Sequence, residues 1–366
     1  MPVSPDHQHA NGEIDIASLH AQDSTGLLAR IDRAVVWDIP LTTPFRGITR
    51  RDGVLLHGPG GWGEVAPFWD YGLEASAPWL ASGLCQALGN SLLPRYRETI
   101  SVNVTVPEIS AQDASDLVRA SGARTAKVKV SGSSDKRAAD LERLEAVRSA
   151  LGRSGKVRID VNGAWDLDTA RENLPLMDRA AGGLEYAEQP CATVYDLADL
   201  RRAVDVPIAA DESIRLSANP LEIVHRRAAD VAILKVAPLG GVHRALDMAE
   251  RLGLPAVVSS ALDTSVGIMA GATLAFSLPS LNHACGLGTT HLLTQDVADP
   301  SVRPSNGTLR LDAAAPVSER LLNEVKAGPY LTTHWQTRLL HLAGALHARR
   351  QREARDPSRA VAGLPL

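Results

Sequence analysis

A chain of 366 residues has room for one barrel of about 250 residues plus a second, smaller domain. With 45% hydrophobic and 22% charged residues it has the make-up of a soluble globular protein, and a formal net charge of −4 supplies no basic field for nucleic acid. No run is apolar enough to span a membrane, no secretory signal opens the chain, and Cys85, Cys191 and Cys285 have neither disulfide-framework nor zinc spacing, so a cytoplasmic protein without a membrane partner is expected.

Residues 1–30 are polar and aperiodic and read as a loose tail, and His7 and His9 within them show no metal-site pattern. Strand-like runs follow at 34–39, 54–57 and 61–65, then a helical stretch at 74–88 with Ala77, Leu80 and Leu84 on one stripe. The segment 42–53, broken by Pro44 and Gly47 and carrying Arg46, Arg50 and Arg51, reads equally as a solvated hairpin tip or as a lid over an anionic ligand. From Ile100 the rhythm becomes strand–helix alternation. Strand runs are expected at 100–106, 125–130, 156–161, 184–188, 206–210, 231–236, 256–260 and 282–285. Helical patterning fills the gaps, as in 111–120 behind a Ser110/Asp113 capping box, in 135–151 and in the turn-led helix from Val242. Apolar strands buried on both faces imply a parallel α/β architecture. The expected domains are an α+β capping unit, 31–99 plus 300–346, and a barrel over 100–299, with a second loose tail at 347–366.

Charged residues end five consecutive strand runs: Lys127-Val128-Lys129, Arg158-Ile159-Asp160-Val161-Asn162, Glu188-Gln189-Pro190, Asp211-Glu212-Ser213 and Lys235. Strand ends on the C-terminal side of a (β/α)8 barrel converge on the active-site face. Alternation points Lys127 and Lys129 one way, and likewise Arg158, Asp160 and Asn162. Any one of the carboxylates alone reads as a helix N-cap or a loop ion pair, but three in succession at barrel spacing do not. Converging carboxylates repel unless they share a hard cation, which suits Mg²⁺, with Mn²⁺ able to substitute. A lysine crowded by other cations is pushed toward a neutral, proton-accepting form. Lys129 is therefore the candidate base, Lys127 its tuning neighbour, and Lys235 faces them across the metal. This is equipment for taking a proton α to a carboxylate, the enediolate being stabilised by the metal.

That strand-end series resembles the muconate-lactonizing subgroup of the enolase superfamily. The stretches PFRGITRRDGVLL (44–56), GWGEVAPFWDY (61–71), SSALDTSVG (259–267) and ACGLGT (284–289) resemble its o-succinylbenzoate synthases, and the likeness spans roughly residues 31–346. The resemblance implies a (β/α)7β TIM-like barrel closed by an α+β capping domain, with Mg²⁺ on Asp160, Glu188 and Asp211. It implies a small cyclic carboxylate as substrate and a lyase reaction of menaquinone biosynthesis: dehydration of 2-succinyl-6-hydroxy-2,4-cyclohexadiene-1-carboxylate to o-succinylbenzoate. Lys129 would abstract the proton and return it to the departing hydroxyl, and Lys235 would stay charged. Arg158, Asn162, Ser259 and Ser260 are the substrate-binding candidates, and Glu212 is expected behind Asp211 rather than on the metal. An N-succinylamino acid racemase or a cycloisomerase on the same site is the alternative, and a non-catalytic binding barrel a remote one. Asn282-His283-Ala284-Cys285 lacks the Asp-x-Asp of dipeptide epimerases, and Lys235 stands where mandelate racemase-like members place a histidine.

Overall fold

The computed structural model describes residues 11–310 and 316–355. A short helix, α1 (Ile16–Gln22), precedes an antiparallel sheet of β1 (Arg33–Phe45), β2 (Ile48–Gly58) and β3 (Gly61–Val65), followed by α2 (Leu73–Ala87). Both faces of this sheet are apolar, because both are covered. Ala34, Val36, Val54, Leu56 and Val65 pack against α2 and the C-terminal helix, while Val35, Trp37, Ile39 and Leu55 pack against Val266, Leu293 and Val297 of the second unit.

Two expectations about the chain ends are corrected. Residues 13–30 are not a tail: Asp15 caps α1, Glu13 bridges Val35 and pairs with Arg33 and Lys326, and Ile14, Leu19 and Leu28 are buried. Their apolar residues are too few to show a period and are buried by the distant C-terminal helix. Leu28→Ala is accordingly expected to cost about 2–5 kcal/mol in urea unfolding; an unchanged midpoint would make the segment a tail after all. At the other end, helix continues to Arg355, held by Arg352–Glu74 and Arg244–Glu353 ion pairs. Residues 1–10, with His7 and His9, and 356–366 lie outside the described residues.

The second unit is the expected barrel. Its parallel strands, β5 (Val104–Val106), β6 (Thr125–Lys129), β7 (Lys156–Asp160), β8 (Leu184–Glu188), β9 (Ile208–Ala210), β10 (Val231–Leu234) and β11 (Ala256–Val258), lie side by side in chain order. The predicted first strand is divided: β4 (Thr99–Ser101) pairs instead with β12 (Thr308–Arg310), and only β5 enters the barrel. The predicted eighth strand is reduced to two parallel bridges, Cys285 to Val102 and Gly286 to Ser259, which join the two edges of the sheet. Glycine at 286 leaves room for Ser259, whose hydroxyl oxygen a Cβ there would approach to 2.5 Å.

Helices α3 (Ala111–Ser121), α4 (Arg137–Leu151), α5 (Leu167–Ala180), α6 (Val194–Ala203), α7 (Glu212–Arg215), α8 (Glu222–His225), α9 (Val236–Leu239), α10 (Val242–Leu252) and α11 (Ser265–Ser277) connect the strands. Ser110 caps α3, its hydroxyl accepting from Asp113 N at 3.1 Å and contacting Asp113 Oδ2 at 2.6 Å, in place of the reciprocal backbone bond of a full capping box. The chain returns through α12 (Glu319–Glu324) and α13 (Pro329–Arg355), whose Trp335, Leu339, Leu342 and Leu346 complete the core of the first unit. No described helix is long and apolar enough to cross a membrane.

Candidate active site

Register brings the strand-end charges together. Lys129 is the Cα partner of Asp160, Asp160 of Glu188, and Glu188 of Ala209, two residues before Asp211. Lys127 reaches up between two carboxylates, with Nζ 3.0 Å from Asp160 Oδ2 and 2.9 Å from Glu188 Oε1. Lys129 Nζ donates to Asp160 Oδ2 and to Asn162 Oδ1, both at 2.6 Å. From the far side Lys235 Nζ donates to Asp211 Oδ2 at 2.6 Å. Asp211 precedes α7 without capping it: no side-chain cap bond forms, and its second oxygen accepts from Arg215 Nε at 2.9 Å.

The backbone is bent to this purpose. Asn162 and Gln189 take left-handed φ values of 53° and 41°. Asn162 thereby faces Lys129, and its Nδ2 donates to Glu212 Oε1 at 3.2 Å. Gln189 Oε1 accepts from Asp211 N at 3.0 Å and Ser213 N at 3.1 Å, which fixes the turn that presents Asp211.

The lysines differ in their surroundings. Burial alone would lower Lys127, but Asp160 and Glu188 outweigh it and hold its ammonium well above the usual lysine value. Burial and the nearby Lys127 charge win at Lys129, which is lowered despite its bond to Asp160. Only Lys129 is lowered, because at Lys127 the two carboxylates outweigh both burial and crowding. Lys127 and Lys129 in turn outweigh burial at Asp160, which lies far below the carboxylate range. Burial and then Asp160 push Glu188 up to about 7, with Asp211 adding to the shift.

Lys127, Lys129, Asp160, Asn162, Arg215 and Lys235 floor an open pocket, with Glu188 and Asp211 just behind them. Thr105, Ser259, Ser260, Gly286 and Thr289 form its barrel wall, together with Ala261 and Leu262. Ser260 Oγ lies 2.7 Å from Thr289 Oγ1 and 3.0 Å from Gly286 O. The first unit contributes Phe45, Arg46, Phe68, Tyr71 and Trp79 as an aromatic roof. Segment 42–53 is both a hairpin and a cover, turning at Arg46-Gly47 with Phe45 and Arg46 over the cavity. Its other two arginines serve elsewhere: Arg50 pairs with Asp38, and Arg51 is buried against the carbonyls of Leu262, Asp52 and Ala66.

Arg158 corrects an expectation. It faces inward but lies two residues, about 6.5 Å, below the strand end. It is fully buried, bonded to Glu185 at 2.5 Å, Ala284 O at 2.8 Å and Asn103 Oδ1 at 3.2 Å, and does not line the cavity. Conversely, Arg215 escaped the sequence reading although Asp211 and Arg215 stand at i, i+4 spacing, a legible signal. Phe45, Phe68, Tyr71 and Trp79 had no local signal.

A buried pair at the junction of the units gives a pH signature. Glu64 of β3 accepts from Thr264 N at 3.2 Å and Gly267 N at 3.1 Å at the start of α11. Burial first, and the Asp263 carboxylate second, push Glu64 up to about 8 from an ordinary 4.5. The folded state therefore holds a proton that the unfolded chain releases, so this contribution is whole below about pH 4.5 and lost as pH rises through about 8. Glu64→Gln should flatten the fall in urea midpoint over that window; parallel slopes for the two proteins would refute the assignment.

Asp160, Glu188 and Asp211 offer only hard oxygen donors, and Asp160 and Asp211 add to burial in pushing the Glu188 carboxyl up, a crowding of acids that a bound cation would relieve. That chemistry fits Mg²⁺. Among the described residues no three His, Cys, Asp or Glu side chains are gathered closely enough to hold an ion as they stand. Lys127 is wedged between Asp160 and Glu188, and Asp211 is drawn to Lys235 and Arg215.

Residues 110–316 match the family model for the enolase C-terminal domain-like fold, and residues 36–87 that for the enolase N-terminal domain-like fold. The o-succinylbenzoate synthase of Thermobifida fusca is 52% identical over 305 residues, 82% of this chain and 93% of the relative. The chain belongs to the o-succinylbenzoate synthase family of the enolase superfamily. The same family's member in Mycobacterium tuberculosis is 48% identical over 81% of this chain and 89% of its own length. A dipeptide epimerase of Cytophaga hutchinsonii, solved with Mg and D-Ala-L-Val, has the same fold at TM-score 0.66 and 22% identity, covering 81% of this chain and 98% of that one. The floor of the cavity in this synthase-family chain thus sits where its barrel strands end and its capping unit closes.

Proposed function

We propose that this chain dehydrates 2-succinyl-6-hydroxy-2,4-cyclohexadiene-1-carboxylate to o-succinylbenzoate in menaquinone biosynthesis, in a Mg²⁺-dependent reaction. Synthases of this name at 47–52% identity, matched over most of the chain, support the activity. The observation that carries the assignment of roles is the pair of contacts Lys129–Asp160 and Lys235–Asp211, which approach one row of carboxylates from opposite sides beneath an aromatic roof.

Asp160, Glu188 and Asp211 would hold the Mg²⁺, which when bound offsets negative charge building on the substrate carboxylate. Lys129, the lysine lowered by burial, takes the ring proton at Nζ, and Asn162 and Asp160 fix the direction of that nitrogen. The C–O bond then breaks, and the proton on Nζ leaves with the hydroxyl as water. Lys127, held charged by two carboxylates, cannot serve as the base and instead keeps Lys129 low. Lys235, paired with Asp211, stabilises charge on the opposite side. Phe45, Phe68 and Trp79 exclude water and enclose the ring, while Ser259, Ser260 and Thr289 offer hydroxyls to its polar substituents.

Incubation with the cyclohexadiene carboxylate and Mg²⁺ should give an aromatic ultraviolet absorbance; no aromatisation would refute the assignment. Facing lysines also suit a racemase, so N-succinylamino acids provide the counter-test. Their α-protons should not wash out into deuterated solvent if the chain is a dedicated synthase.

A further inference from the structure

One phenol joins the two units of the protein. The Tyr71 oxygen accepts from Arg46 Nη2 at 2.9 Å and from Arg215 Nη1 at 2.6 Å, using both of its lone pairs. Arg46 sits at the tip of the β1–β2 hairpin, where Asp70 at 3.1 Å and the Phe68 ring at 4.1 Å hold it over the cavity. Arg215 belongs to the barrel, with a side chain only 6% exposed, and all three of its guanidinium nitrogens are engaged. Nε donates to Asp211 at 2.9 Å, Nη2 to Glu212 at 2.7 Å and Nη1 to Tyr71. An unbroken line of polar contacts therefore runs from the roof to a carboxylate on the floor: Arg46, Tyr71, Arg215, Asp211.

We propose that Tyr71 is a positioning residue that couples the seating of the capping hairpin to the cation affinity of the strand-end carboxylates, acting through Arg215 on Asp211. The inference rests on the reading of Asp211 as a Mg²⁺ ligand. Its physical basis is the rigidity of the planar, buried guanidinium. If Nη1 loses its acceptor, the fork that holds Asp211 Oδ1 is no longer fixed from the roof side, and the carboxylate loses its set direction. Arg46 touches neither Asp211 nor Arg215, yet it supports the same phenol. Binding energies are reciprocal, so whatever the hairpin does for the cation, the cation does for the hairpin.

The test is calorimetric binding of Mg²⁺ to the full chain without substrate, which needs no turnover. Tyr71→Phe is expected to weaken Mg²⁺ about 10-fold, in the range found when partners behind metal ligands are removed. Arg46→Met, at an exposed turn that does not endanger folding, should weaken it in the same direction, and the double variant should be no weaker than Tyr71→Phe alone. Hydrogen exchange at residues 44–48 should slow on adding Mg²⁺ in the parent chain and not in Tyr71→Phe. Unchanged Mg²⁺ affinity in both single variants, or strict additivity in the double, would overturn the coupling. Asp211→Asn separates the two ideas: if it weakens Mg²⁺ while Tyr71→Phe does not, the coupling alone fails. If it also leaves Mg²⁺ binding intact, the assignment of Asp211 as a ligand falls.

Discussion

Lys129→Ala is expected to reduce turnover by about 10⁴-fold, the upper end of what a positioned acid–base group contributes, while Mg²⁺ still binds. The side chain removed is the only one in the floor that combines a lowered lysine with contacts to both Asp160 and Asn162 at 2.6 Å. Lys127 cannot replace it, because two carboxylates at about hydrogen-bond distance hold its proton. Lys235 lies beyond Glu188 and Asp211 and would approach the other side of the substrate. Loss of an ammonium from Asp160 removes a competitor for that carboxylate, so calorimetry should show Mg²⁺ binding as tight as before or tighter. Single-turnover aromatisation decides the matter: a variant that still converts substrate at a comparable rate would move the base to another residue.

Asp211→Asn should have the second large effect. The amide keeps the shape but removes the charge that Lys235 and Arg215 share, leaving two buried cations facing a neutral group. Breaking a buried pair in this way costs about 3–5 kcal/mol, which urea unfolding would register. Mg²⁺ affinity should fall at least about 100-fold, since loss of partners behind a ligand already costs about 10–100-fold. Asp211 and Glu212 are distinguished by the comparison with Glu212→Gln. Glu212 is tied to Asn162 and Arg215 through one oxygen, and its replacement should change Mg²⁺ affinity less. The reverse order would exchange their roles.

Both variants rest on residues that local pattern alone had brought together. The two-residue period of a strand places Lys127 with Lys129 and Asp160 with Asn162 on one face, and the length of a βα unit sets consecutive strand ends side by side. Those regularities belong to the backbone, so Lys129, Asp160, Glu188, Asp211 and Lys235 could be placed at one barrel mouth without coordinates. Depth was not legible. Arg158 shares a face with Asp160 but lies a layer lower, where Glu185 and Asn103 take its charge and donors. The opposite shifts of Lys127 and Lys129 were hidden for the same reason, since they depend on which lysine lies between two carboxylates.

What the order of residues determined by itself was the barrel and the gathering of lysines and carboxylates at its mouth, because each follows from repeats within a few tens of residues. Only the folded chain decided that Ile14, Leu19 and Leu28 join the core, that the 42–53 hairpin roofs the cavity, and that Tyr71 links Arg46 to Arg215. Those contacts join segments up to about three hundred positions apart, and burial against a remote surface leaves no periodic trace in the segment that is buried.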